Sequence, residues 1–239
     1  MRLILIGCEY AGKTALAVAL SKWLIRSRGV PFVRWHNHFV VPYLDRHLVV
    51  REDSDTRAPG KTGEEEWGPA ELDEVQAMSP ALLEQFQRHM IWRHLHPGMY
   101  RDAEYPVIDW YYADAVYAPL YYGYGEPGSF ADRRQRARVW DTEVMHQAPD
   151  TVLVLVRAAP QIIRQRRCVN PHPRGLLREV DVQQVLDRFE EEYEASLIAR
   201  RFALDTSRAA LDETLEELLA QMQPYLAAAS AGNAGHPVT

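Results

Sequence analysis

The sequence predicts an α/β fold in three layers, a mostly parallel sheet covered by helices on both faces, and three observations predict it. Short apolar runs alternate with stretches of helical length and period, the pattern of strand–helix–strand units. A glycine-bearing loop joins the first apolar run to the first helical stretch. The length, 239 residues with nearly half of them apolar, suits one such domain with some elaboration. In sheets of this kind ligands bind outside the carboxyl ends of the strands. Residues that end strands are therefore the first candidates for a site.

Taken in order, residues 2–7 read as a buried strand and residues 14–25 as a helix that Arg28 and Gly29 stop. Residues 30–35 are a second strand. Between Asp45 and Met78 apolar periodicity fades, and charged, glycine and proline residues crowd around positions 58–66, which predicts an inserted loop or lid. Ser79 and Pro80 open a helix as N-cap and first residue. It carries Leu82, Leu83, Phe86 and Met90 toward Pro97 and Gly98. Residues 105–109 form a third strand, followed by an aromatic segment to Tyr124 and a helix over 130–146. Residues 151–156 are the clearest strand, 160–167 a helix, 168–177 a loop and 180–201 a long amphipathic helix. A strand at 202–205 and a helix at 211–226 complete the domain, and the small and polar residues 227–239 are expected to form a disordered tail. The expectation is five strands, one domain over 1–226, an insertion at 45–78 and an arginine-bearing lid at 164–180.

The loop after the first strand reads Gly7-Cys8-Glu9-Tyr10-Ala11-Gly12-Lys13-Thr14, a complete G-x-x-x-x-G-K-[ST] phosphate loop of the P-loop NTPase kind. Its glycines let backbone N–H groups wrap a phosphate, and the helix N-terminus adds positive potential. Gly7, Tyr10, Ala11, Gly12, Lys13, Thr14 and Ala15 are therefore the expected nucleotide cradle. Lys13 would reach the β- and γ-phosphates, and the Thr14 hydroxyl would ligate Mg²⁺.

Composition narrows the class. A net charge of −6 argues against a surface built throughout for nucleic acid. The two cysteines, Cys8 and Cys168, make neither a disulfide framework nor a zinc pattern. No apolar run reaches the length of a membrane span, and none resembles a secretory peptide, so a soluble cytoplasmic protein without a membrane partner is expected. There is no guanine-reading N-K-x-D stretch and no L-S-G-G-Q-like segment, which leaves small-molecule kinases among the phosphate-loop classes.

Three features of the residues point the same way. Glu9 places an acid inside the phosphate loop, which costs Coulomb energy beside bound phosphates unless something uses it. Asp109 ends an apolar strand, where a carboxylate can hold Mg²⁺ or orient an acceptor. Asp205, which also ends a strand, competes with it for the metal. Arg157, Arg164, Arg166, Arg167, Arg174 and Arg178 cluster on and after one helix, suited to the charge that develops in phosphoryl transfer. A solvated basic face is the competing reading of that cluster.

These residues resemble the thymidylate kinase and deoxynucleoside kinase families. The loop matches G-x-[DE]-x-A-G-K-[ST] at every fixed position, and Asp109-Trp110-Tyr111 stands where those families carry D-R-[YSH] or E-R-S. The block from Val152 to Tyr193 looks like the families' strand, R-x-x-x-R helix, lid and helix ending in E-x-x-Y. The resemblance implies an ATP·Mg²⁺-dependent kinase with Lys13, Glu9, Asp109, Arg164 and Arg167 at the reaction centre, and Arg174 over ATP. Glu9 would contact the acceptor. Trp110 replaces the expected arginine, which puts the usual acceptor in doubt.

On the acceptor side the resemblance points to Trp35 after the second strand, Phe86 and Arg88 on the preceding helix, and Trp110 and Tyr111. Phe86 also fits the apolar stripe of its helix, so core packing competes. His36 and His38 alternate along a strand, but with no third ligand nearby they are not read as a metal site. The acceptor expected first is a nucleotide or nucleoside. A hydroxymethylpyrimidine in DNA, a non-nucleotide metabolite, and a regulatory nucleotide-binding role without turnover stay open, as does a homodimer.

Overall fold

The computed structural model describes residues 2–38, 47–54, 69–97, 106–172 and 175–232. The apolar run that opens the chain forms β1 (Leu3–Ile6), buried at all four positions. With β2 (Val33–Asn37), β3 (His47–Val50), β4 (Val107–Ile108), β5 (Val152–Arg157) and β6 (Arg201–Asp205) it builds one six-stranded sheet in the order β3-β2-β4-β1-β5-β6. Every pairing is parallel except β2 with β3. The continuous apolar sequences of β1 and the buried part of β5 are what a strand covered on both faces requires. Each such buried side chain contributes about 1.5–3 kcal/mol.

Helices cover the sheet. The alternation of β2 sends Trp35 and His36 to opposite faces. Trp35 is buried against α1 (Lys13–Arg28), its Nε1 donating to Ser21 Oγ at 2.7 Å. The eight-residue α4 (Trp110–Tyr117) is buried along its whole length and packs against α5 (Arg133–Gln147) and α7 (Val182–Ala195). Between α4 and α5 the Tyr111 and Tyr112 hydroxyls both donate to Asp141 Oδ1 at 2.7 Å, while Asp141 Oδ2 accepts the Leu197 N–H at 2.9 Å. A second buried knot holds α3 (Pro80–Arg93): Arg133 donates to Asp114 at 2.5 Å and to Glu84 at 2.9 Å. Burying those charges is tolerable because each is paired and hydrogen-bonded.

The strand count corrects the expectation of five. Residues 47–50, expected inside a featureless insertion, pair with β2 as an antiparallel edge strand, because Leu48, Val49 and Val50 are apolar enough to be buried there. A helix, α2 (Pro69–Gln76), also lies within the expected 45–78 loop, while residues 55–68 lie outside the described residues. The long helix expected over 180–201 is α7 preceded by a 3₁₀ turn (Glu179–Asp181), and it ends six residues early at Ala195. The last helix, α8 (Leu211–Gly232), continues past Leu226 into the expected tail, since the alanine-rich residues 227–229 favour helix. The aromatic segment becomes α4 continued by a π-helical turn (Ala118–Tyr122).

Two glycines mark how tightly the first unit is built. A Cβ on Gly7 would lie 2.1 Å from the Val156 carbonyl oxygen, so the chain can leave β1 alongside β5 only with glycine there. Gly29 closes α1 at φ +66 with open space around it. Gly7→Ala is expected to destabilise the chain by at least about 3 kcal/mol, the upper range for overpacking, and Gly29→Ala by about 1 kcal/mol, the ordinary cost of a left-handed alanine. Urea unfolding monitored by circular dichroism measures both.

Candidate active site

The connection from β1 to α1 forms a closed loop whose shape depends on left-handed residues at Tyr10 (φ +64) and Gly12 (φ +98). The Ala11 N–H donates back to the Cys8 carbonyl at 3.2 Å. Lys13, the first residue of α1, folds its side chain into the loop, where Nζ donates to the carbonyls of Gly7 and, at 2.9 Å, Cys8. Thr14 and Ala15 follow on the first turn, partly buried.

Asp109 reaches this lysine because β4 lies directly beside β1. The Asp109 N–H donates to the Leu5 carbonyl at 2.7 Å, which continues the β1–β4 pairing by one residue. The chain then turns sharply. Asp109 has φ +66 and ψ −61, and Trp110 has φ +52, two successive non-glycine residues in sparsely populated regions. The turn delivers the Asp109 carboxylate to 3.3 Å from Lys13 Nζ, with the two side chains 1% and 4% exposed. Burial pushes the Asp109 carboxyl up to about 7, against the pull of the Lys13 ammonium.

Glu9 sits in the same loop and is also buried. Its N–H donates to the Tyr117 hydroxyl at 3.2 Å, and its Oε1 accepts the Leu176 N–H at 2.8 Å. Burial raises its pKa, opposed by that N–H and by the charges of Lys13 and Arg167. The segment after α6 (Pro160–Val169) thus lies against the phosphate loop. The His172 N–H donates to the Tyr10 hydroxyl at 3.0 Å, and the two rings stack at 4.2 Å. From the other side Arg166 donates to the Tyr10 carbonyl at 3.0 Å and to both oxygens of Thr206, and the Thr206 hydroxyl donates to the Ala11 carbonyl at 2.8 Å.

The structure thus brings Gly7, Glu9, Tyr10, Ala11, Gly12, Lys13, Thr14 and Asp109 together. Arg167, half-exposed, lies 3.6 Å from Glu179, and its charge reaches Glu9. Arg164 is exposed on α6, and Arg174 lies outside the described residues. Asp205, at the end of the edge strand β6, is exposed and accepts the Ser207 N–H at 2.8 Å, two strands away from β1.

The acceptor-side candidates fare differently. Trp35 is a core residue, its one polar atom spent on Ser21. Tyr111 is likewise fully buried, with its hydroxyl given to Asp141. Phe86 packs beside Val75, Leu83 and Tyr124, which is the competing core role. Arg88 pairs with Glu84 at 3.4 Å on its own helix. Trp110 is buried against Tyr111, at 4.8 Å between ring centroids.

Tyr117, His172 and Thr206 also contact the loop. In the sequence Tyr117 is one ring of an aromatic run and His172 is unremarkable, so only the position of Thr206 just beyond a strand end was a usable signal.

Chemically, a backbone loop with a buried ammonium at its base and a carboxylate beside it suits a phosphate and a cation together. No family model matches the chain, and no curated protein sequence matches it. Among solved structures, the chain is similar in fold to a deoxyadenosine kinase from M. mycoides. With dATP bound, that structure shares 12% identity over 93% of this chain and 99% of the kinase, with a TM-score of 0.53. With dCTP bound it shares 11% over 94% and 100%, at 0.52, and with the products dCMP and a flexible dCDP 10% over 94% and 100%, at 0.51. The likeness is one of fold, a mostly parallel sheet covered by helices. No helix among the described residues is long and apolar enough to cross a membrane.

The Asp109 pKa makes a pH prediction. A carboxyl with pKa about 7 in the folded chain and 3.8 when unperturbed takes up a proton on folding between those values. Its contribution to stability is full below about 3.8 and is lost as pH rises through about 7. The melting temperature of the wild-type chain should therefore fall more steeply between pH 5.5 and 8 than that of Asp109→Asn. Parallel curves in a thermal-shift series would contradict this.

Proposed function

We propose that the chain is an ATP·Mg²⁺-dependent kinase that passes the γ-phosphoryl group to a nucleoside- or nucleotide-like acceptor. The observation that carries this reading is the buried Lys13–Asp109 pair, 3.3 Å apart at the ends of adjacent strands and closed under a phosphate loop. Phosphoryl transfer needs positioning and charge stabilisation rather than covalent chemistry from the protein, and this site is built to supply both. The fold adds support: a deoxyadenosine kinase of like architecture has been seen with dATP, dCTP and dCMP bound.

In this reading Lys13 exchanges the Gly7 and Cys8 carbonyls for phosphate oxygens, so that its ammonium meets an anion in place of neutral acceptors. The loop N–H groups of Tyr10 and Gly12 would serve the same anion, joined by that of Ala11 once it leaves the Cys8 carbonyl. Thr14 and Asp109 would hold Mg²⁺, which when bound neutralises phosphate charge. Asp109 fits that duty because burial and the nearby Glu9 charge hold its carboxyl up, so a cation would draw it into the ionised form. Asp205, exposed and two strands away, fits it less well.

Glu9 orients the acceptor. Its Oε1 is held by the Leu176 N–H, while Oε2 is buried without a hydrogen bond. A buried carboxylate oxygen in that state is suited to an incoming hydroxyl. Arg167, whose charge reaches Glu9, supplies positive charge from the side of α6.

ATP consumption measured across deoxynucleosides, nucleoside monophosphates and hydroxymethylpyrimidine-containing DNA tests the proposal. Transfer to at least one nucleoside or nucleotide is expected; transfer to none of them, by protein that binds ATP, overturns it. Lys13→Met should lower kcat/KM by at least about 100-fold, the scale of one lost transition-state donor. Glu9→Gln should raise the acceptor KM about tenfold, equivalent to about 1.4 kcal/mol, and leave the KM for ATP within about twofold.

A further inference from the structure

We infer that His36, His38 and His94 form a binding site for a divalent transition metal of the zinc class, independent of the phosphate loop. The three side chains come from elements far apart in sequence. His36 lies on β2, His38 just past its end, and His94 at the C-cap of α3. One nitrogen from each lies within 4.8 Å of the other two, and all three residues are buried, at 3%, 2% and 6% exposed.

The scaffold holds each imidazole in place. The His36 N–H donates to the Pro106 carbonyl and the His38 N–H to the Ile108 carbonyl, both at 3.1 Å, so the β2–β4 pairing sets the register. The two residues are separated by one position along extended chain, which points both rings to the same face, opposite Trp35. The His94 ring meets them from above, with centroids 4.9 Å from His36 and 4.7 Å from His38, nearly perpendicular to each.

His94 carries the feature of a metal ligand most clearly. Its Nδ1 lies 2.9 Å from the Met90 carbonyl. A carbonyl only accepts, so Nδ1 donates to it, and Nε2 is the nitrogen that can take an ion. An imidazole whose far nitrogen is fixed by a backbone carbonyl is the usual arrangement around a bound ion.

Three imidazoles select the metal. Neutral nitrogen donors suit zinc, cobalt, nickel or copper, and not Mg²⁺ or Ca²⁺, which take oxygen. Around a tetrahedral ion at about 2.0–2.1 Å the nitrogens stand roughly 3.3 Å apart. Modest side-chain rotations close the observed spacing to that value. The three ligands found among the described residues leave a fourth position at a tetrahedral ion.

The site has a definite place in the molecule. The Trp110 ring is 6.2 Å from His38, and Trp110 follows Asp109 directly. A bound ion would tie the end of β2 to α3 next to the strained turn that delivers Asp109.

The test uses the untagged full chain, stripped with a chelator and titrated with Co²⁺ and Zn²⁺. Binding of one ion per chain is expected, with a Zn²⁺ Kd below about 1 μM, a tetrahedral Co²⁺ absorption band, and no comparable response to Mg²⁺. His38→Gln and His94→Gln should each weaken Zn²⁺ binding by at least about 100-fold, beyond what loss of an outer partner alone produces. His146→Gln, exposed on α5, should leave it unchanged. X-ray absorption at the zinc edge of the wild-type protein keeps the proposal testable if a variant fails to fold, and should show about three imidazole nitrogens at about 2.0 Å. Fewer than two imidazoles, less than half an ion per chain, or unchanged affinity in both folded variants would overturn it.

Discussion

The contact between Lys13 and Asp109 organises this protein. An ammonium and a carboxyl 3.3 Å apart and almost wholly buried are a poor source of stability, because desolvating their charged forms offsets most of the attraction. Their worth is positional. The pair can exist only because β4 runs beside β1, because glycine at position 7 lets the chain leave β1 against β5, and because the backbone bends into left-handed conformations at Asp109 and Trp110. Strained residues in succession persist only when packing over-determines them. Here the packing is α4, buried along its whole length.

The surroundings of the pair are arranged to the same end. Arg166 and Thr206 brace the outside of the phosphate loop through the carbonyls of Tyr10 and Ala11. His172 and Leu176 close the inner side over Tyr10 and Glu9. The loop is thus clasped by the two ends of one segment, α6 and the chain that follows it. Any change in the segment after α6 would therefore be felt at Glu9, and a ligand that competes for the Glu9 carboxylate would loosen the Leu176 contact.

Much of this was legible in the chain itself. A strand, a complete phosphate motif and a helix in succession announced the loop, since backbone geometry and side-chain identity are both local there. Asp109 could be read as a strand-ending acid, and the order of later elements as a parallel sheet. Tertiary facts were less accessible. β3 was lost in a polar stretch because its burial depends on pairing with β2, not on its own pattern. Trp35 and Tyr111 looked like ligand platforms because they stand near strand ends, yet the pleat of β2 directs Trp35 into the helix layer and the phase of α4 turns Tyr111 toward Asp141. His36 and His38 were visible as a pair, but His94 joins them only through the packing of α3. The arginines divided likewise. Arg166 turns inward to brace the loop and Arg164 outward, a split that helix phase alone does not reveal.

The central claim is that the buried pair opens to receive nucleotide phosphates and a cation. A crystal structure with Mg²⁺ and a non-hydrolysable ATP analogue tests it most directly. The account predicts Lys13 Nζ withdrawn from the Gly7 and Cys8 carbonyls and bound to phosphate oxygens, with Asp109 on the metal side and the γ-phosphate pointing toward Glu9. A nucleotide bound elsewhere, with Lys13 still folded onto its own loop and against Asp109, would contradict it.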